Sequence, residues 1–174
     1  MTDRQPTQTT NLDIYGHATL PWDRPRTILA NLDPGENLTW FLGTVGSDGR
    51  PHAAGVGALW HDGDVYVVSG PGTRKSRNLA ANPASSISVR VPGLDLVFEG
   101  NMARVTDPPT LERLAARFRE GGWEATVDGD AFTAPYSAPS AGPPPWHVFR
   151  FTFDTVVGVS TAAPWGATRW DFAH

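Results

Sequence analysis

Apolar and polar positions fall into short extended runs separated by tight turns over the middle of the chain. Leu38–Val45 (LTWFLGTV) is apolar and β-prone, and Ser47-Asp48-Gly49-Arg50 is a turn signal. Pro51–Trp60 is a second extended run, His61-Asp62-Gly63-Asp64 a second turn, and Val65–Ser69 a third strand. Strand, DG turn, strand, DG turn, strand predicts an antiparallel meander. The second run, HAAGVGALW, is rich in alanine and glycine. Glycine weakens a strand interior, so it marks either a barrel bend or a place where something approaches the backbone closely.

Thr73–Asn82 reads as a short helix capped by Thr73 and ended by Pro83. Ser85–Val91 alternates as a strand, and Leu94–Val105 is a long strand with a break or bulge at Gly100. Asp107-Pro108-Pro109 opens a helix whose apolar face is Leu111, Leu114, Ala115 and Phe118, stopped by Gly121-Gly122. Trp146–Val159 resumes strand alternation, and the closing TRWDFAH is expected as a last edge strand. Trp22–Leu32 carries Ile28, Leu29 and Leu32 at helical spacing. Residues 1–12 are polar and aperiodic, and read as a disordered or loosely packed tail. Residues 131–145 read as a Pro-rich loop: a lid, a partner-binding segment or disorder. The expectation is one mainly β (α+β) domain over residues 13–174, a six- to seven-stranded antiparallel barrel with a few short helices.

Composition narrows the chemistry. At 174 residues the chain suits one domain with a core that needs no staples. Net charge is −4 and the pI about 5.6, which argues against nucleic acid or an anionic membrane as partner. There is no cysteine, which excludes disulfides and thiol chemistry. Neither a secretory signal nor an apolar run of about 20 residues is visible, so a cytoplasmic location and no membrane association are expected. No histidine pair has metal-ligand spacing, so no metal site is expected.

Against that acidic background, GPGTRKSRNLAANP places Arg74, Lys75 and Arg77 within four positions at a helix start. Cations there repel the positive end of the helix dipole, at a cost of roughly 0.3–1 kcal/mol each. A bound anion reverses the sign, because backbone N–H groups, dipole and side-chain cations converge on one phosphate. Ser69, Thr73, Ser76 and Asn78 are further candidate donors. Neither a P-loop nor a dinucleotide-binding glycine motif is present.

The order FLGTVGSDGRPHAAGVGALWHDGDVYVVSGPGTRKSRNLAANPASSISV resembles the pyridoxamine 5′-phosphate oxidase-like superfamily of flavin and deazaflavin split β-barrels. The resemblance is carried by the DGRPH turn, a strand ending in Ser69, and RKSRNLAANP. It runs over about residues 38–105, and more weakly onward through Glu99, Gly100 and Ala103. It implies a PNPOx-like FMN-binding split barrel, usually a homodimer with cofactor sites at the interface. It implies that Ser69, Thr73, Arg74, Lys75, Arg77 and Asn78 contact the cofactor phosphate or acidic tail. The backbone at Ala54, Gly55, Val56 and Gly57 would run along the ring, with Glu99 approaching from a neighbouring strand. Trp165, Arg169 and Trp170 resemble a C-terminal element that reaches across a dimer interface. Family members that oxidise vitamin B6 carry arginine and lysine where this chain has Ala53 and Ala58, so that activity is not expected. The small lining is closer to the F420 and general flavin reductase branches, with a lean to the deazaflavin over FMN. His52 is either a proton donor near the ring or a strand-end histidine.

The resemblance therefore implies an oxidoreductase that moves hydride between F420 or FMN and a small unsaturated or aromatic acceptor, with no obligate catalytic side chain. The alternatives are a non-catalytic carrier of a flavin, deazaflavin or haem-like ligand, and a phosphate-ligand sensor with the Pro-rich loop as its docking segment.

Overall fold

A computed structural model describes residues 4–33, 38–138 and 141–173. Its elements follow in chain order: β1 (Gln8–Asn11), α1 (Asp23–Ala30), β2 (Trp40–Val45), β3 (Pro51–Val56), β4 (Ala58–His61), β5 (Asp64–Ser69), α2 (Arg74–Ala81), β6 (Ala84–Val91) and β7 (Leu94–Val105). The rest are α3 (Pro108–Glu120), β8 (Thr126–Asp128), β9 (Ala131–Thr133), β10 (His147–Ser160) and β11 (Ala167–Asp171). Nine strands form one antiparallel sheet, with path β1-β11-β10-β7-β6-β2-β3 and with β5 pairing both β10 and β4. The run expected as one strand from Pro51 to Trp60 is two. The chain turns at Gly57, so β3 pairs β2 while β4 pairs β5. That turn curls the sheet round on itself, which gives the split-barrel architecture the sequence pattern predicts.

The split itself lies in β10. All of β10 pairs β7 along one edge, while its other edge pairs β5 over His147–Phe151 and β11 over Thr155–Val159. Between the two halves the register slips at Asp154. The bulge expected at Gly100 is therefore on the strand opposite. β7 runs through Gly100 unbroken against β6, and a Cβ on Gly100 would stand 2.1 Å from the Thr152 carbonyl oxygen. Glycine is required there because the partner backbone bends in toward it.

Alternation sorts the strands into two faces. Leu42, Val56, Val67, Ile87, Phe98, Phe151 and Phe153 fill the interior with Trp40 and Trp170. On the other side of β5 and β10, α3 buries Leu111, Leu114 and Ala115 against Phe132, Trp146 and Val148. Asp107 caps α3 by accepting from the Thr110 amide at 3.0 Å.

Two expectations need correction. Residues 8–11, expected in a loose tail, form β1, because Thr9 and Thr10 alternate in register with Trp170 and Arg169 on an otherwise open β11 edge. Arg4, just before it, lies over the Phe153 ring at 4.7 Å and donates to the Phe153 carbonyl. The stretch 131–145 is not all loop: Ala131–Thr133 is β9, hairpinned to β8, and Phe132 bridges Trp146. No helix of the described residues is long and apolar enough to cross a membrane.

Candidate cofactor site

The turn between β5 and α2 is braced from within. The Ser76 hydroxyl donates to Ser69 Oγ at 2.9 Å, Ser69 lies 2.9 Å from Thr73 Oγ1, and Thr73 donates to the Gly70 carbonyl at 2.9 Å. Thr73 also accepts the Ser76 amide at 3.3 Å, which makes it the helix cap. Ser69 and Ser76 are buried. Ser69, Thr73 and Ser76, expected as phosphate donors, lie together at this turn and hold its shape. Asn78 is used in the same way: its amide donates to Thr44 Oγ1 at 3.0 Å and so pins α2 to β2.

The cations are placed differently. Arg74 and Arg77 are exposed on α2, and Arg77 donates to the Gly72 carbonyl. Arg74 reaches the β2–β3 turn, where its guanidinium stands 3.8 Å from the point at which a side chain on Gly46 would begin. Lys75 is only 5% exposed, and burial holds its ammonium pKa below the ordinary lysine value. The result is a rigid helix start with cations around its first turn, where helix geometry leaves amides without intrahelical acceptors.

Next to β2, the strand to which Asn78 ties α2, runs β3. Val56 is buried, so His52 and Ala54 share its inward side, while Ala53 and Gly55 face out and are exposed. A Cβ on Gly55 or Gly57 would meet nothing within 4 Å. The outward register runs Gly55–Phe41–Ser88–Val97–Val157–Arg169 across the sheet, with Ala53–Gly43–Ser86–Glu99–Thr155–Asp171 beside it. Small side chains thus line the β3 end of the outer face, and Glu99 stands exposed on the second row. The described residues offer two features suited to a flat ring bearing a phosphate: open glycine backbone on the outer face of β3, and a cationic helix start anchored through Thr44 on the inner side of β2.

The C-terminal residues are not gathered with this turn in one chain. Trp170 is fully buried and donates to the Leu20 carbonyl at 3.2 Å, so it is a core residue and makes no cofactor contact. Arg169 pairs with Asp171 at 2.8 Å. Trp165 is 52% exposed near the far edge of the sheet, beside Leu12 and Val159.

Three residues outside the expected site set also lie at this turn. Thr44 anchors Asn78, and a lone buried threonine in the apolar run LGTV was the signal. Gly70 lies under the Ala141 carbonyl, 2.0 Å from where a Cβ would sit, so Ala141 packs onto the turn. His147 stands opposite Ser69 in register, and burial together with Arg104 holds its pKa below the usual histidine value. Its place on a strand next to Trp146 is the signal that sequence offers for it.

Solved structures share the architecture at low identity. PhzG from Burkholderia lata, in complex with tetrahydrophenazine-1-carboxylic acid, is 14% identical at a TM-score of 0.56, over 87% of this chain and 83% of that one. A heme binding protein from Mycobacterium smegmatis is 18% identical at 0.57, over 82% of this chain and 55% of that one. General Stress Protein 26 from Bacillus anthracis is 16% identical at 0.51, over 78% and 91%. The comparison with curated proteins gives no match. The family model described as pyridoxamine 5′-phosphate oxidase matches residues 33–160, most of the length and all of the cationic turn, and the chain belongs to that family.

Proposed function

We propose that this protein is an oxidoreductase that binds F420 or FMN and passes hydride between it and a small unsaturated or aromatic acceptor. The observation that carries the reading is the α2 start. It gathers Arg74, Lys75 and Arg77 around the first turn of a helix whose shape Ser69, Thr73 and Ser76 brace. Lys75 is 5% exposed at that start, within reach of the turn a phosphate would occupy. Gly55 and Gly57 leave room for a flat ring against the backbone. The cofactor supplies the hydride chemistry, while the protein binds, orients and excludes water. Three cations exceed what one phosphate monoester requires, which favours the deazaflavin with its longer acidic tail. Ala53 and Ala58 offer no charge to a pyridoxal phosphate substrate, so vitamin B6 oxidation is not proposed.

The outer face of the sheet supports a homodimer. Phe41, Val97 and Val159 are 40–49% exposed across it, an apolar stripe that a second copy would cover.

One observation favours a carrier over an enzyme. His52, the candidate proton donor, lies on the inward side of β3, away from the open face at Gly55. Turnover of reduced cofactor with a panel of acceptors separates the two readings. The grip itself is tested by Arg74→Ala with Lys75→Ala, which is expected to abolish tight cofactor binding in a fluorescence titration. Unchanged affinity would refute it.

A further inference from the structure

The loop after β1 is fixed by its own side chains. Asn11 Oδ1 accepts the Asp13 amide at 2.9 Å, and Asn11 Nδ2 donates to the His17 carbonyl at 2.9 Å. Asp13 Oδ2 accepts the Tyr15 and His17 amides, both at 2.8 Å. The loop between β10 and β11 is fixed on both sides of Trp165. Arg24 donates to the carbonyls of Pro164 at 2.6 Å and Ala162 at 3.0 Å, and Ser160 Oγ accepts the Gly166 amide at 2.7 Å. A Cβ on Gly166 would stand 2.9 Å from the Ala18 carbonyl oxygen, so the two loops abut. Yet Tyr15 is 81% and Trp165 52% exposed. Between the loops lies a cleft of about 240 Å³, lined by Leu12, Tyr15, Val159 and Trp165 with His17 beside them. Loops ordered in advance lose little entropy on binding, and large apolar groups held in water mark a contact.

One polar side chain of the cleft is oriented for a guest. Asp13 Oδ1 lies 3.0 Å from His17 Nδ1, and the Asp13 side chain is nearly buried while His17 reaches water. The bond from the His17 amide, foremost, holds the Asp13 carboxyl below the ordinary aspartate value. An ionised carboxylate only accepts, so Nδ1 turns its proton to Asp13 and Nε2 is left for the cleft. A hydroxyl suits that nitrogen in either state of the ring, because it donates to a neutral imidazole and accepts from a charged one. A carboxylate guest would meet the Asp13 charge beside His17, on a chain of net charge −4. Pockets for drug-sized ligands run from roughly 300 to 1,000 Å³, so this smaller cleft suits a single ring, with Tyr15 and Trp165 as its flat walls. The cleft is also remote from the cationic turn. That turn meets β10 at His147, opposite Ser69, and the cleft meets it at Val159. At the usual rise, about 40 Å of strand separates them.

We propose that this cleft is a second small-molecule site, which takes a single-ring phenol with its ring against Tyr15 and Trp165 and its hydroxyl on His17 Nε2. The site is separate from the cofactor grip, and neither reading depends on the other.

A ¹H–¹⁵N NMR titration of the full chain with phenol, and in parallel with toluene and benzoate, tests the site. Phenol is expected to shift the amides of residues 12–17 and the Trp165 indole saturably. Toluene lacks the hydroxyl and benzoate carries a charge, so each should bind at least about fivefold more weakly. Trp165→Ala, at an exposed position, should weaken phenol by a similar factor. His17→Ala keeps the bonds that Asn11 and Asp13 make to the main chain, so the loop stays formed. It is expected to bring phenol down to the affinity of toluene. Three results would each overturn the proposal: no saturable shift at these residues, benzoate bound as tightly as phenol, or phenol still preferred over toluene by the His17→Ala protein.

Discussion

Lys75 keeps an ammonium group where 5% of the residue reaches water, and burial lowers its pKa from the ordinary 10.5. The unfolded chain holds that proton more tightly. The stability cost is therefore fully present below the folded pKa and disappears as pH rises past the unfolded one. A bound phosphate needs the charged form, so cofactor affinity should fall as pH rises through the alkaline range below 10.5. Titrations across that range should show the loss, and Lys75→Met should flatten it. The two cations together should matter strongly: charge-assisted hydrogen bonds contribute about 1.5–3 kcal/mol each, so the Arg74→Ala, Lys75→Ala protein should bind roughly 100-fold more weakly or worse. The hydroxyls should behave differently. Ser76→Ala breaks the chain from Ser76 through Ser69 to Thr73 at its first donor. It should cost about 1–2 kcal/mol in urea unfolding.

At the scale of elements, two glycines separate packing from function. Gly100→Ala drives a methyl into the backbone of the opposite strand, 2.6 Å from the Phe153 Cα, and should lower stability by about 3 kcal/mol in thermal unfolding. Gly55→Val enters open space, so stability should change by less than about 1 kcal/mol while cofactor affinity drops. Much of this level was legible in sequence. The DG turns, the Asp107 cap and the alternation of Ser85–Val91 report local preferences, and local preferences decided those elements. What was not legible depends on distant partners. β1 exists because the β11 edge is open to it, and β8–β9 because Phe132 reaches Trp146. The site divides along the same line. The cationic run could be read directly because its charge conflicts with its helix position. That Ser69 and Ser76 turn inward, and that Trp170 belongs to the core, depends on which face each element buries.

The whole molecule joins a barrel whose seam lies in β10, a braced cationic turn at the end of β5, and an outer sheet face with exposed apolar residues and small residues at its β3 end. Phe41→Asp places a charge on that face, and sedimentation should then show the proposed dimer weakened by at least tenfold. The central claim is that the α2 start holds the phosphate of a flavin or deazaflavin. Fluorescence titration of the purified protein with FMN and, in parallel, F420 tests it most directly. The account predicts saturable binding of at least one, tighter for F420, and lost in the Arg74→Ala, Lys75→Ala protein. Binding of neither cofactor, or equal binding by that variant, would contradict it.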